Sequence, residues 1–286
     1  MQLTGIAGTT ALVTGARGNI GREIVARLAE AGARVAAADR TAAAGGPAGG
    51  PAGGGAGGPA GGPAGGPAGG GAGGPAGGPA GPAMVLQLDV RDEDAVRRAV
   101  AGVEDALGPI GLLVHAAGIS GEIAPLLDRT RQEYDEIFGA NVLGTFLCTR
   151  EVGRRMAARR RGCVVAIGSN SVSVLRSGQA LYGASKAAAQ YMTRCLGLEL
   201  ARYGVRCVTV NPGTMELPMG GGERPPERLG ALLDGSPGEF RAGIPLGRLA
   251  AAADVADAVC FLASNEASHI TCADLTVDGG AALRPG

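Results

Sequence analysis

The chain has no surplus of either charge: 26 Lys and Arg stand against 26 Asp and Glu. A balanced surface gives a polyanion nothing to grip, so neither nucleic acid nor an acidic membrane surface is expected as a partner. No apolar run reaches the length of a membrane span. The opening Met1-Gln2-Leu3-Thr4-Gly5-Ile6-Ala7-Gly8 also lacks a cationic stretch followed by a long apolar run and a cleavage site. A cytoplasmic protein is the expectation. Cys-x-x-Cys is missing too; the six cysteines, at 148, 163, 195, 207, 260 and 272, are scattered, and four lie in apolar runs. That pattern suits buried thiols in a reducing compartment better than a disulfide set or zinc ligands, and no metal is expected.

Glycine and proline, by contrast, are abundant, at 53 and 17 residues. Most of the excess lies in residues 43–82, a run of Gly-Gly-Pro-Ala repeats with two Gly-Gly-Gly-Ala variants. Such a segment has almost no side chains to bury, so it reads as an exposed insertion without a catalytic role. A loop this long is unusual in a compact domain, but closure entropy rises by only roughly 0.6 kcal/mol per doubling of length. Setting those 40 residues aside leaves 246, enough for one α/β domain.

Outside the insertion, short apolar runs alternate with helical patterns. Strands are expected at Thr10–Thr14, Arg34–Ala38, Val85–Leu88, Gly111–His115, Cys163–Ile167, Arg206–Val210 and Asp274–Val277. Helices are expected at Ile20–Ala31, Asp92–Leu107, Arg131–Arg159, Ala180–Tyr203 and Ala252–Leu262, and 214–247 reads as irregular and Pro-interrupted, with room for short helices. This order predicts a single Rossmann-type α/β domain, a doubly wound parallel sheet with helices on both faces. Binding then falls at the carboxyl ends of the strands.

Thr14-Gly15-Ala16-Arg17-Gly18-Asn19-Ile20-Gly21 joins the first strand to the first helix. A tight glycine turn at a helix start brings backbone amides and the positive end of the helix to a pyrophosphate, although the same turn can serve close packing alone. Asp39 ends the second strand, where a carboxylate can accept from ribose hydroxyls and repel a 2′-phosphate; this favours NAD over NADP, with Arg40 beside it as a partial offset. Asp89-Val90 is placed to meet the adenine edge, with Asp89 as a helix cap the plain alternative. Ala116-Ala117-Gly118 lets backbone approach the cofactor. Asn211-Pro212-Gly213 reads as a strand-to-loop turn whose free amides and carbonyls can meet the nicotinamide carboxamide, with Thr214 nearby. Residues 215–241, with Met219 among them, form the expected cover over the substrate.

Tyr182 and Lys186 are four residues apart on one helix face. A phenol ionises at about 10, and a neighbouring ammonium favours the phenolate that can take a proton from an alcohol. Ser169, at the end of the preceding strand, can hold the substrate oxygen. Asn141, inside a helix, is out of place unless its amide bonds to backbone or water, and can relay protons from Lys186 to solvent.

These residues resemble the short-chain dehydrogenase/reductase family over essentially the whole chain outside the repeat. The resemblance rests on Ser169 thirteen positions before Tyr182, Tyr182-Gly183-Ala184-Ser185-Lys186, Asn141, Asn211-Pro212-Gly213 and Val277-Asp278-Gly279-Gly280. It implies that Tyr182 is the acid/base, that Lys186 and Asn141 support it and that Ser169 orients substrate. It also implies a homotetramer built on the helices starting near Arg131 and Ala180. Two places depart from the family pattern: Asn19 replaces a glycine of the turn, where tolerance of left-handed backbone would suit it, and His115 replaces an Asn and reads as structural. Within the family, segments such as Gly243-Ile244-Pro245-Leu246-Gly247 and Ala267-Ser268-His269-Ile270-Thr271 look like the 2,3-dihydro-2,3-dihydroxybenzoate dehydrogenases. That likeness gives Arg176, seven positions after the Ser, a ring carboxylate to hold, a solvated surface charge being the plain alternative. A 2,3-dihydro-3-hydroxyanthranilate dehydrogenase, a ketone or 3-oxoacyl reductase and a protein that binds NAD without turnover remain as alternatives.

Overall fold

The computed structural model describes residues 3–41, 81–216, 226–239 and 241–283. Seven strands form one parallel sheet: β1 (Thr10–Thr14), β2 (Arg34–Asp39), β3 (Met84–Gln87), β4 (Ile110–His115), β5 (Gly162–Ile167), β6 (Val205–Pro212) and, last in the sheet, Asp274–Val277. The helices are α1 (Asn19–Glu30), α2 (Glu93–Leu107), α3 (Arg131–Phe138), α4 (Gly144–Arg159), α5 (Ala180–Leu200), α6 (Pro226–Leu233) and α7 (Ala252–Ala263). A two-stranded hairpin, β7 (Gly235–Ser236) and β8 (Arg241–Ala242), precedes α7, so the last strand of the sheet is β9. Across the sheet the order is β3-β2-β1-β4-β5-β6-β9. The direction of winding reverses between β1 and β4, which opens a crevice at their carboxyl ends.

The two sheet faces are covered by different helices, because alternate strand residues point to opposite sides. Ala11, Val13, Val114 and Val165 pack with Ile24 and Leu28 of α1 and Val255 and Val259 of α7. Their neighbours Leu12, Leu113 and Val164 pack with Val96 and Val100 of α2 and Val152 and Met156 of α4. With both faces covered, β1 is buried at every position, which is why Thr-Ala-Leu-Val-Thr shows no polar alternation.

Most expected elements form within a residue or two of their expected ends. The long helix expected over Arg131–Arg159 does not run unbroken: Gly139–Leu143 forms a π-helical turn between α3 and α4. Asn141 lies in that turn, 1% exposed. Of the insertion expected at 43–82, residues 43–80 lie outside the described residues, as does Met219.

Candidate active site

All the candidate residues that the structure describes follow the carboxyl ends of strands or face them from a helix. After β1, Gly15 has a φ of +67°, and a Cβ there would stand 2.6 Å from the Ala117 nitrogen. A Cβ on Gly21 would stand 2.1 Å from the Gly15 carbonyl oxygen. Both positions therefore require glycine. Gly18 caps α1 with no side-chain acceptor and the first helical turn carries no acid, so the positive end of the helix faces outward, as a pyrophosphate requires. Asn19 is the first helical residue; among described non-glycine residues a positive φ occurs only at Arg160 and Cys272. The expected need for left-handed tolerance at Asn19 is thus corrected: an ordinary helical backbone accepts any residue there. Ile20 packs against the core beneath the turn.

Asp39 ends β2 and accepts from the Arg17 backbone N–H at 3.0 Å and from the Thr41 hydroxyl at 3.1 Å. Arg40 follows it at the surface and bears electrostatically on Asp89. Asp89 is not the helix cap, which is Asp92 accepting from Ala95 N at 2.9 Å; instead Asp89 pairs with Arg91 at 2.6 Å, and this hydrogen-bonded pairing holds its carboxyl below the usual range. Val90 is buried against Gly144. Ala116 N donates to Thr14 O at 3.2 Å and Ala117 N to the Thr14 hydroxyl at 3.4 Å. The close approach that Gly118 permits is internal: a Cβ there would stand 2.8 Å from Asn141 Oδ1 and 3.3 Å from Lys186 Nζ.

The turn after β6 differs from expectation. Pro212 pairs with Val277, so the ladder does not stop at the proline, and Gly213 N donates to Val277 O at 2.9 Å. That amide is engaged by the sheet and not left for a carboxamide. Asn211 acts as a strut, its Oδ1 accepting from Ser169 N at 3.2 Å; a Cβ on Gly168 would lie 2.0 Å from the same oxygen.

The proton-handling groups converge from three elements. Ser169 follows β5, and its hydroxyl lies 3.1 Å from the Ser171 hydroxyl while accepting from Ser171 N at 3.1 Å. Tyr182 and Lys186 project from α5, 9% and 4% exposed. Asn141 clamps the loop after β4: Ile119 N donates to Oδ1 at 2.8 Å, Nδ2 donates to Ile119 O at 2.8 Å and to Ser185 Oγ at 2.9 Å. Ser185 in turn donates to the Tyr182 carbonyl at 2.7 Å. Both N–H groups of the amide expected to relay protons are therefore engaged in fixing the loop and helix to each other.

Electrostatics add to one expectation. Burial pushes the Tyr182 phenol above its ordinary value, opposed by the Ser169 hydroxyl and by the charge of Arg176. Lys186 Nζ donates to Ile167 O at 2.8 Å and lies 6.0 Å from the Tyr182 ring centroid. Burial lowers Lys186 itself to about 8. Arg176 therefore adds a second positive charge beside the phenol to the one that the four-residue spacing supplies in Lys186. His115 is buried, with Nδ1 2.9 Å from the Thr14 hydroxyl, and burial pushes its pKa down to about 3. It is a neutral structural ring.

Arg176 is half-buried beside this group, not a solvated charge. Nη2 donates to Asn170 Oδ1 at 2.8 Å, and Asn170 Nδ2 donates to Asp278 Oδ2 at 3.0 Å. Sequence reasoning missed Asn170, Ser171 and Asp278. The small polar run Gly168-Ser169-Asn170-Ser171 at a strand end was the available signal.

A phosphate-binding turn and a buried phenol with a cation beside it open onto one edge of one sheet, the arrangement of an oxidoreductase that works with a dinucleotide. Residues 76–282 match the family described as Enoyl-(Acyl carrier protein) reductase. The 2,3-dihydro-2,3-dihydroxybenzoate dehydrogenase of Bacillus subtilis (strain 168) is 38% identical over 293 residues, covering 99% of each chain. The 3-oxoacyl-acyl-carrier-protein reductase MabA of Mycobacterium avium is 39% identical over 195 residues, 68% of this chain and 72% of that one. The crystal structure of 3-ketoacyl-(acyl-carrier-protein) reductase from Brucella melitensis complexed with NADH superposes with a TM-score of 0.74 at 26% identity, over 98% of this chain and 100% of that one. The chain belongs to the short-chain dehydrogenase/reductase family and is an NAD-dependent oxidoreductase. The glycine cradle at Gly15 and Gly21 and the carboxylate of Asp39 fit that cofactor. No helix among the described residues is long and apolar enough to cross a membrane.

Proposed function

We propose that the enzyme oxidises a cyclic dihydrodiol carboxylate of the 2,3-dihydro-2,3-dihydroxybenzoate type to its aromatic product, in a cytoplasmic siderophore or antibiotic pathway. The observation that carries this reading is a half-buried arginine, Arg176, whose charge reaches the Tyr182 phenol and which forms no ion pair among the described residues. An alcohol whose own carboxylate lies a few bonds from the carbinol satisfies both groups at once. The similarity to the Bacillus subtilis enzyme, which runs through nearly the whole of both chains, supports the same substrate class.

NAD, when bound, would supply the acceptor for the hydride that leaves the carbinol carbon. Gly15, Arg17, Asn19 and Ile20 hold its phosphates, Asp39 and Arg40 its adenosine ribose, Asp89 and Val90 its adenine. Ala116, Ala117, Gly118, Pro212, Gly213 and Thr214 border its nicotinamide half, together with Tyr182 and Lys186. Ser169 holds the substrate oxygen, Tyr182 as phenolate takes the hydroxyl proton, and burial keeps water from competing. The ketone so formed tautomerises to a phenol, and aromatisation makes the oxidation effectively one-way. Asn141 serves by locking the loop after β4 to α5.

The test is NADH formation with 2,3-dihydro-2,3-dihydroxybenzoate against 2,3-dihydro-3-hydroxyanthranilate. Preferential turnover of the diol is the expected result. The similarity to 3-oxoacyl reductases favours a second reading: reduction of an acyl thioester with NADPH, and no oxidation of any cyclohexadiene carboxylate, would establish it instead. We further propose a homotetramer, supported by the exposed Tyr134, Phe146, Tyr191 and Leu198 on α3, α4 and α5. Sedimentation at the mass of four chains is expected, and a monomer contradicts it.

A further inference from the structure

Thr214, buried just beyond β6, is a meeting point for two guanidinium groups. Arg176 Nη1 donates to its hydroxyl oxygen from 3.4 Å and Arg241 Nη2 from 2.9 Å. The first comes from the loop after β5 and the second from β8, so two separate segments deliver cations to one neutral oxygen. A threonine hydroxyl has two lone pairs and one proton; with both lone pairs taken by N–H donors, its own O–H is left to donate. Three donors thus converge, and two of them are charged.

Arg176 is held for use and not neutralised. Its Nε is buried without a hydrogen-bond partner. The carboxylate that bears on it electrostatically, Asp278, is kept from direct contact by Asn170, which accepts from Arg176 and donates to Asp278. A neutral amide in that place fixes the plane of the guanidinium while leaving its charge for another partner. The backbone of Arg241 is fixed by close packing. Gly235 has a φ of +93°, and a Cβ there would stand 2.8 Å from the Arg241 carbonyl oxygen; a Cβ on Gly243 would stand 2.3 Å from Leu233 O. Ile244 N donates to Leu233 O at 2.8 Å, closing the hairpin on α6.

We propose that Arg241 is the second arm of a carboxylate clamp, so that the ring carboxylate of the substrate binds between Arg176 and Arg241 against the Thr214 hydroxyl. This rests on the substrate class proposed above and adds a specificity-determining residue to it. Acid recognition then depends on the β7–β8 hairpin sitting over the end of β6, and a neutral or thioester substrate gains nothing from the pair. The clamp also gives Thr214, which borders the nicotinamide half of the cofactor, a contact with the substrate.

Calorimetric titration of the full-length, NADH-saturated protein with benzoate and with benzamide tests the clamp without turnover. Wild type should bind benzoate at least about tenfold more tightly than benzamide, and Arg241→Met should erase that preference, weakening benzoate by about tenfold or more while leaving benzamide within about twofold. Arg241→Lys should restore part of it, since a lysine supplies charge without the planar fork. Should Arg241→Met fail to fold, Arg241→Gln is read the same way. Benzoate affinity unchanged in Arg241→Met, or a wild type that does not distinguish acid from amide, overturns the clamp. A protein that binds benzoate through Arg241 yet oxidises no dihydrodiol carboxylate overturns the substrate reading alone.

Discussion

At the scale of single residues, Tyr182 and Lys186 share a helix face, but different neighbours manage their charges. Lys186 spends a donor on the Ile167 carbonyl, whereas the phenol meets the Ser169 hydroxyl and the field of Arg176. On the proposed mechanism oxidation needs the phenolate, so the rate is expected to rise with pH as Tyr182 ionises. Burial pushes that ionisation up, while Ser169 and Arg176 pull it down. Removing either helper must therefore displace the rising limb toward higher pH. The pH dependence of kcat at saturating substrate should show this for Ser169→Ala and for Arg176→Met; a limb that stays in place in both variants contradicts the electrostatic account. The identities of Ser169, Tyr182 and Lys186 were legible from spacing alone. The role of Asn170 was not, because its meaning lies in Asp278 and Arg176, and only the tertiary fold places all three together.

At the scale of elements, the strands were legible because burial on both faces leaves unbroken apolar runs, as in β1. The π-helical turn at Gly139–Leu143 was not, since one extra residue in a turn barely alters the apolar period across Arg131–Arg159. The same limit applies to the glycine turn: the sequence marks Gly15, Gly18 and Gly21 alike, but only Gly15 and Gly21 have backbone within clashing distance of an added carbon. Gly21→Ala should lower NAD affinity by about tenfold or more and destabilise the fold by about 1–3 kcal/mol. Asn19→Gly, at a helical backbone position, should leave NAD affinity within about threefold and cost at most about 1 kcal/mol. Equilibrium binding and denaturant unfolding of the two variants check this; equal losses in both contradict the reading of the turn.

At the scale of the molecule, the repeat falls between β2 and β3, which pair in parallel from Ala36 with Met84 to Asp39 with Gln87. A parallel pair needs a return connection of about a dozen residues or more, so part of the insertion's length is topologically required while its composition is not. Replacing 43–82 by about a dozen Gly and Ser residues should leave NAD affinity within about twofold; a tenfold loss would assign the repeat a part in cofactor binding. Within the cover proposed over 215–241 the expected short helices include α6, whereas the β7–β8 hairpin was not legible, because two residues per strand have too little sequence to carry a pattern. The proposed reaction turns on one buried phenol that takes a proton from a carbinol. NADH formation from 2,3-dihydro-2,3-dihydroxybenzoate by wild type and by Tyr182→Phe, with NAD binding measured in parallel, tests that claim most directly. The account predicts a loss of about 10²–10⁴-fold in rate with NAD affinity retained; a Tyr182→Phe enzyme that turns over like wild type contradicts it.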